Sequence, residues 1–250
     1  MIDVVLSVRQ LSAQRSRRLI AQAVSFDLRA GQVLGVVGAN GSGKTTLLRT
    51  LVGFVSPASG DVRIDGRLPP AALRLAPTAY FAGEATLPGF VRAAAWGNLG
   101  TGEVVMTDRR RIRALSRSTR QLLGLRTALG RHPLRLIVLD EPWEGLDPDA
   151  TRWLSATLEA KRDRGAAIVL SSHRLHDLAG VCDKYLFLTG AVPTLVRAHE
   201  IARSGLVSAE QLIDAFDRAR DHATAAIALT DGQPGAVATL DEERDPSAPP

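Results

Sequence analysis

Residues 38–46 read Gly-Ala-Asn-Gly-Ser-Gly-Lys-Thr-Thr. This fits the pattern G-x-x-x-x-G-K-[ST], in which each position has a task on a chain of phosphates. Gly38, Gly41 and Gly43 let the backbone adopt positive φ and bring N–H groups close to phosphate oxygens. Asn40, Ser42 and Thr46 complete the phosphate-contacting stretch. A helix starting near Gly43 aims unpaired N–H groups and its positive dipole end at the same anion. Lys44 supplies a point charge, and Thr45 offers a hydroxyl to Mg²⁺, a cation that keeps few protein ligands.

A second group of candidates lies at Leu136-Ile137-Val138-Leu139-Asp140-Glu141-Pro142. An apolar strand ending in two acids places carboxylates at the C-terminal edge of a parallel sheet, where ligands bind. Asp140 suits a Mg²⁺ ligand, directly or through water. Glu141 suits a group that orients and polarises an attacking water.

The elements needed to hold these residues are legible. Gln32–Val37 is a short apolar run ahead of the phosphate loop, and Leu47, Leu48, Leu51 and Val52 recur after it at helical spacing. Residues 4–8, 23–28, 33–38, 60–66, 78–81, 134–140, 166–171 and 181–188 read as strands. Helical patterns occupy much of 107–130 and 148–162. Ser208-x-x-Gln211 is a capping box opening a helix to about Arg218. Strands alternating with helices predict an α/β fold with a mostly parallel sheet flanked by helices, plus an antiparallel β layer from the early segments. From about residue 231 the composition turns to Pro, Asp, Glu, Ser and Ala, and a disordered tail is expected there.

Composition narrows the function classes. The chain has 250 residues, 45% hydrophobic, and no apolar run long enough to span a bilayer. Met1-Ile2-Asp3-Val4-Val5 shows no basic region leading into an apolar stretch, so no signal peptide is expected. Cys182 is the only cysteine, which excludes an internal disulfide and fits a reducing, cytoplasmic setting with the thiol as buried filler. The formal charge is +5, and of the 31 basic residues only Lys44, Lys161 and Lys184 are lysines. The arginines are spread along the chain without interleaved aromatics, so no nucleic-acid partner is expected. The run Arg109-Arg110-Arg111 with Arg113 and Arg117 reads as a solvated helix face. His132, His176, His199 and His222 match no functional pattern.

Taken together, residues 4 to 190 resemble the nucleotide-binding domain of ATP-binding cassette (ABC) transporters, a P-loop NTPase fold. The resemblance implies one ATP-binding domain over residues 1–220, a reduced α-helical subdomain at about 84–130, and a tail over 221–250. It implies ATP and Mg²⁺, an ATPase activity, a separate membrane permease and a second ATP-binding subunit, on the inner face of the membrane. Gly145-Leu146-Asp147 matches the element at the dimer interface, and His173, after Ser171-Ser172, matches the histidine that senses the γ-phosphate. The implied catalytic set is Lys44, Glu141 and His173.

Three departures stand out from the family pattern. The signature segment, usually Leu-Ser-Gly-Gly-Gln, aligns with Leu115-Ser116-Arg117-Ser118-Thr119, keeping Ser116 but losing both glycines and the glutamine. Ser116, Arg117, Ser118 and Asp147 would face a partner's nucleotide. The glutamine that contacts Mg²⁺ and water aligns with Gly83, and Glu84 could replace it only with a shift of one residue. The adenine-stacking aromatic aligns with Arg15, which is either a guanidinium stacked on the base or an exposed arginine. The leading expectation is a transporter ATPase. A nucleotide-gated regulatory module with slow turnover is the alternative, and a soluble cassette ATPase acting on DNA or ribosomes is a third.

Overall fold

The run Val33–Val37 is buried along its whole length, and so are Leu136–Asp140 and Ala167–Ser172. Side chains of a strand alternate between faces, so an unbroken apolar run requires cover on both. Leu34, Val36, Val138 and Val169 face one core, shared with Leu6, Leu28 and the helix residues Leu47 and Leu51. Val37, Ile137, Leu139, Ile168 and Leu170 face a second core, filled by Leu154, Leu158 and Leu212.

The computed structural model describes residues 3–16, 18–69, 77–98, 107–130, 133–190 and 192–231. Among the described residues nine strands form two sheets. β1 (Val4–Arg15), β2 (Arg18–Arg29) and β4 (Ser59–Ile64) make an antiparallel sheet in the order β2-β1-β4. The other sheet runs β5-β6-β7-β3-β8-β9, built from β3 (Val33–Val37), β5 (Thr78–Phe81), β6 (Leu136–Asp140), β7 (Ala167–Ser172), β8 (Lys184–Phe187) and β9 (Thr194–Arg197). It is parallel except for β9, which pairs antiparallel with β8. The helices are α1 (Lys44–Leu51), α2 (Ala93–Gly97), α3 (Arg117–Leu129), α4 (Pro148–Asp163), α5 (Leu175–Leu178), α6 (Ala198–Ile201) and α7 (Ala209–Asp231). This is the expected α/β fold with an antiparallel layer. Among the described residues no helix is long and apolar enough to cross a membrane.

Several expected boundaries move. Residues 107–116 form no α-helix. A 3₁₀ turn spans Ile112–Ala114, and Ser116 is extended because its side chain accepts a hydrogen bond from the Thr119 N–H and starts α3 there. Arg109–Arg111 therefore lie on no helix face: Arg111 bridges to Arg92, and Arg110 pairs with Asp108 at 2.7 Å. The last core strand covers Lys184–Phe187, less than 181–188, and β9 was not anticipated. The Ser208/Gln211 capping box is present, with hydrogen bonds of 3.0 and 3.2 Å. The helix it opens runs to Asp231, well past Arg218 and into the stretch assigned to a tail. Residues 232–250, where disorder was expected, and His132 lie outside the described residues.

Cys182 is buried against Gly35, where an added Cβ would sit 2.9 Å from its sulfur, and burial pushes its thiol pKa far up. It is inert filler, as expected.

A third, smaller core joins Ala93, Ile112, Leu115 and Leu123. It is tied to the main sheet where Gly124 of α3 meets Phe81 of β5. A Cβ at Gly124 would lie 2.2 Å from the Phe81 ring. In an exposed helix, Gly→Ala gains about 1 kcal/mol. Here Gly124→Ala is expected to lose about 1–3 kcal/mol by overpacking, read as a lower midpoint in urea unfolding.

Candidate functional site

The C-terminal ends of β3, β6 and β7 lie side by side, with Val37 opposite Ser172 and Asp140 opposite Ser171. The chain leaves β3 into the glycine loop and enters α1. Gly43 precedes that helix with φ 103°, and Gly41 has φ 83°. Both angles fall in the left-handed region that non-glycine residues avoid. Gly38 is required for a different reason, since a Cβ there would sit 2.5 Å from Ser42 Oγ. Ser42 Oγ is itself buried with no hydrogen-bond partner among the described residues.

Lys44 is almost fully buried, and its ammonium donates to Gly38 O at 2.8 Å and Ala39 O at 3.3 Å. The loop thus curls around its own lysine, bringing the charge to where the backbone N–H groups converge. Glu141 Oε1 lies 3.1 Å from the same ammonium.

Thr45 Oγ1 donates to Asp140 Oδ2 at 2.5 Å, which joins the start of α1 to the end of β6. Asp140 is also buried, and its other oxygen accepts from Ser171 Oγ at 2.5 Å. Ser171 Oγ in turn accepts from the Glu141 N–H at 3.0 Å. Glu141 stands in the left-handed region with φ 47°. A non-glycine residue held there is strained, and such strain persists only where the surroundings fix it. His173 supplies that fixing, its backbone N–H donating to Glu141 Oε2 at 3.2 Å and its ring Nδ1 lying 2.9 Å from the same oxygen.

Gly38, Lys44, Thr45, Asp140, Glu141 and His173 therefore converge at one end of the sheet, as the sequence pattern required. The hydroxyl of Thr45 and the carboxylate of Asp140 are a hard oxygen pair that fits Mg²⁺. Two such donors leave the other positions of a Mg²⁺ shell to water and phosphate oxygens.

Asn40 and Ser42 lie in the loop itself, and Thr46 in the first turn of α1, where its carbonyl accepts from Thr50 Oγ1. Arg15 sits exposed at the β1–β2 turn. That end of the hairpin lies beside the phosphate loop, because Ile20 packs on Gly43, where a Cβ would meet it at 2.7 Å. Asp147 caps α4, accepting from the Ala150 N–H at 2.8 Å. Ser116 caps α3, with its oxygen 3.1 Å from Ser118 Oγ and 2.7 Å from Thr119 Oγ1.

Two residues of the site were not singled out by the sequence. Ser171 orients both carboxylate residues, and its cue was a serine at the end of an otherwise apolar strand. Gln121 is buried on α3, accepting from the Glu84 N–H at 3.0 Å and donating to Pro142 O at 3.2 Å. Its cue was an amide among Leu122, Leu123 and Leu125.

The sequence comparisons agree with this geometry. Residues 21–78 match the family model described as ABC transporter. The zinc import ATP-binding protein ZnuC 2 of Hahella chejuensis is 34% identical over 194 residues, covering 73% of this chain and 78% of that protein. The lantibiotic transport ATP-binding protein SrtF of Streptococcus pyogenes is 27% identical over 202 residues, covering 72% of this chain and 84% of that protein. A solved structure of the ATP-binding subunit of an ABC transporter superposes with a TM-score of 0.72 at 22% identity, covering 85% of this chain and 99% of that one. With a phosphate loop, a buried strand-end carboxylate and relatives matched over most of their length, the chain belongs to the family of ABC transporter ATP-binding proteins.

Proposed function

We propose that this chain is the ATP-hydrolysing subunit of an ABC transporter, driving a separate membrane permease from the inner face of the membrane through ATP-dependent pairing with a second ATP-binding subunit. The observation that carries the reading is the chain of contacts Thr45–Asp140–Ser171–Glu141–His173, which aims a hydroxyl, two carboxylates and an imidazole at one point beside Lys44. Residues 1–220 are taken as one ATP-binding domain, and 84–130, with α2, the 3₁₀ turn and α3, as its reduced helical subdomain. The helical subdomain is where the permease is proposed to dock, and substrate choice is assigned to the permease.

In this mechanism the N–H groups of residues 41–46 and the Lys44 ammonium hold the β- and γ-phosphates of ATP. Thr45 and Asp140 would hold Mg²⁺, which when bound neutralises charge developing on the phosphate oxygens. Glu141 accepts a proton from water as that water attacks the γ-phosphate. The two contacts from His173 keep the Glu141 carboxylate turned toward that position. Asp147, at the cap of α4, and Ser116 to Ser118 are assigned to the face that meets the second subunit. Arg15 is assigned to the adenine side, next to the phosphate loop.

A reading with slow turnover has a specific observation in its favour. Gly83 has no side chain to offer Mg²⁺, and the changed signature segment is engaged with its own chain, Arg117 pairing with Glu144 at 2.6 Å. Phosphate release with and without the permease separates the two readings.

Glu141→Gln is expected to keep Mg-ATP affinity within about threefold while turnover falls about 100- to 10,000-fold, and ATP should then hold a stable dimer visible by size-exclusion chromatography. Unchanged hydrolysis would remove Glu141 from the role of base. Lys44→Ala should weaken ATP binding by about 10- to 100-fold, the usual loss for a charged hydrogen bond of about 1.5–3 kcal/mol, as measured by calorimetry.

A further inference from the structure

Two departures from the family pattern, the glycine at position 83 and the altered segment Leu115–Thr119, lie far apart in the sequence and meet in space. Glu84, just after the lost glutamine, accepts from Arg120 Nε at 2.7 Å. Arg117 Nε lies 3.6 Å from the other Glu84 oxygen, while Arg117 Nη2 donates to Glu144 at 2.6 Å. Arg120 Nη1 also donates to the carbonyl of Leu115 at 2.8 Å, which ties the guanidinium to the start of the altered segment. The Glu84 N–H donates to Gln121, and Gln121 reaches the carbonyl of Pro142 beside Glu141. Glu84 and Arg117 line a cavity of about 240 Å³ together with Thr45, Asp140 and Glu141.

These contacts differ in weight. The Arg117–Glu144 pair is exposed, at 61% and 46%, and exposed pairs contribute little. The Glu84–Arg120 pair is 17% and 25% exposed, and solvent screens it less. Its guanidinium is further fixed by the Leu115 carbonyl. Glycines would allow the segment to approach a ligand by backbone freedom. Here Ser116 caps α3 and Arg117–Thr119 form its first turn, so the segment moves with the helix and its placement depends on what holds the start of α3.

We propose that Glu84 and Arg120 are positioning residues for turnover: their ion pair fastens Leu115–Thr119 to the loop at Gly83–Glu84, which Gln121 in turn joins to Pro142 beside Glu141, so that the site on this chain and the segment facing a second subunit are set together. This rests on the proposed function, since it assigns that segment to a second subunit's nucleotide. A change at either residue therefore acts through the segment and leaves the phosphate loop alone.

The test uses the full chain with Glu84→Gln, Arg120→Met, the double variant and Arg120→Lys. Mg-ATP affinity should stay within about twofold of wild type in all four. Turnover should fall about 10- to 100-fold in either single variant, the loss typical of a misplaced catalytic group. The double variant should be no worse than the singles, as for residues acting through one contact. Arg120→Lys should restore turnover to within about threefold of wild type. Amide hydrogen exchange over residues 115–121 should quicken at least tenfold in Glu84→Gln. Unchanged exchange there overturns the proposal whether or not the chain hydrolyses ATP, and so does a double variant whose loss is the product of the single losses. Absence of ATP affinity in the wild-type chain would strike the proposed function instead, leaving the exchange result to decide the ion pair's role.

Discussion

Asp140 accepts two short hydrogen bonds, from Thr45 at the start of α1 and from Ser171 near the end of β7. A buried carboxylate is costly unless such partners are in place. Satisfying it therefore fixes three elements relative to one another: the helix after the phosphate loop, β6, and β7. The Glu141 N–H then closes on Ser171, and His173 closes on the Glu141 carboxylate. The geometry of the site is thus a consequence of burying one acid correctly.

The parallel sheet makes this arrangement available. In-register pairing of β6 with β7 and of β7 with β3 brings the ends of three strands to one edge, although they are far apart in the chain. Crossovers between parallel strands need long connections, and those connections supply the helices that cover both faces. The two cores on either side of the sheet hold the edge rigid, so the loops that leave it start from defined positions. The left-handed Glu141 is the local strain that this rigidity sustains.

The region between β5 and β6 follows a different logic. Its own core is small, made of Ala93, Ile112, Leu115 and Leu123, and it is joined to the sheet by Leu125 and Leu129 in the second core, by Gly124 on Phe81 and by the polar links of Gln121 and Glu84. The apolar contacts anchor the end of α3, and the polar links hold its start. Its departures from the family pattern are concentrated among those polar contacts, where one change of charge can be answered by another.

Residues that act through backbone conformation were legible in the sequence. Gly38, Gly41, Gly43, Lys44 and Thr45 form a contiguous pattern whose chemistry depends on local geometry alone, and the buried strands announced themselves by unbroken apolar runs. The end of α7 and the start of α3 differ from the periodic pattern, because helix boundaries depend on caps and packing that compete with periodicity. The short edge strand β9 has no pattern of its own beyond pairing with β8. The roles of Ser171 and Gln121, and the meeting of Glu84 with Arg120, came only from the tertiary structure. Each links positions at least 20 residues apart, and a hydrogen bond or ion pair leaves no periodic mark in the chain that makes it. The local order of residues determined which chemistry this protein can attempt, and the packing of distant strands and helices decided which side chains hold that chemistry in place.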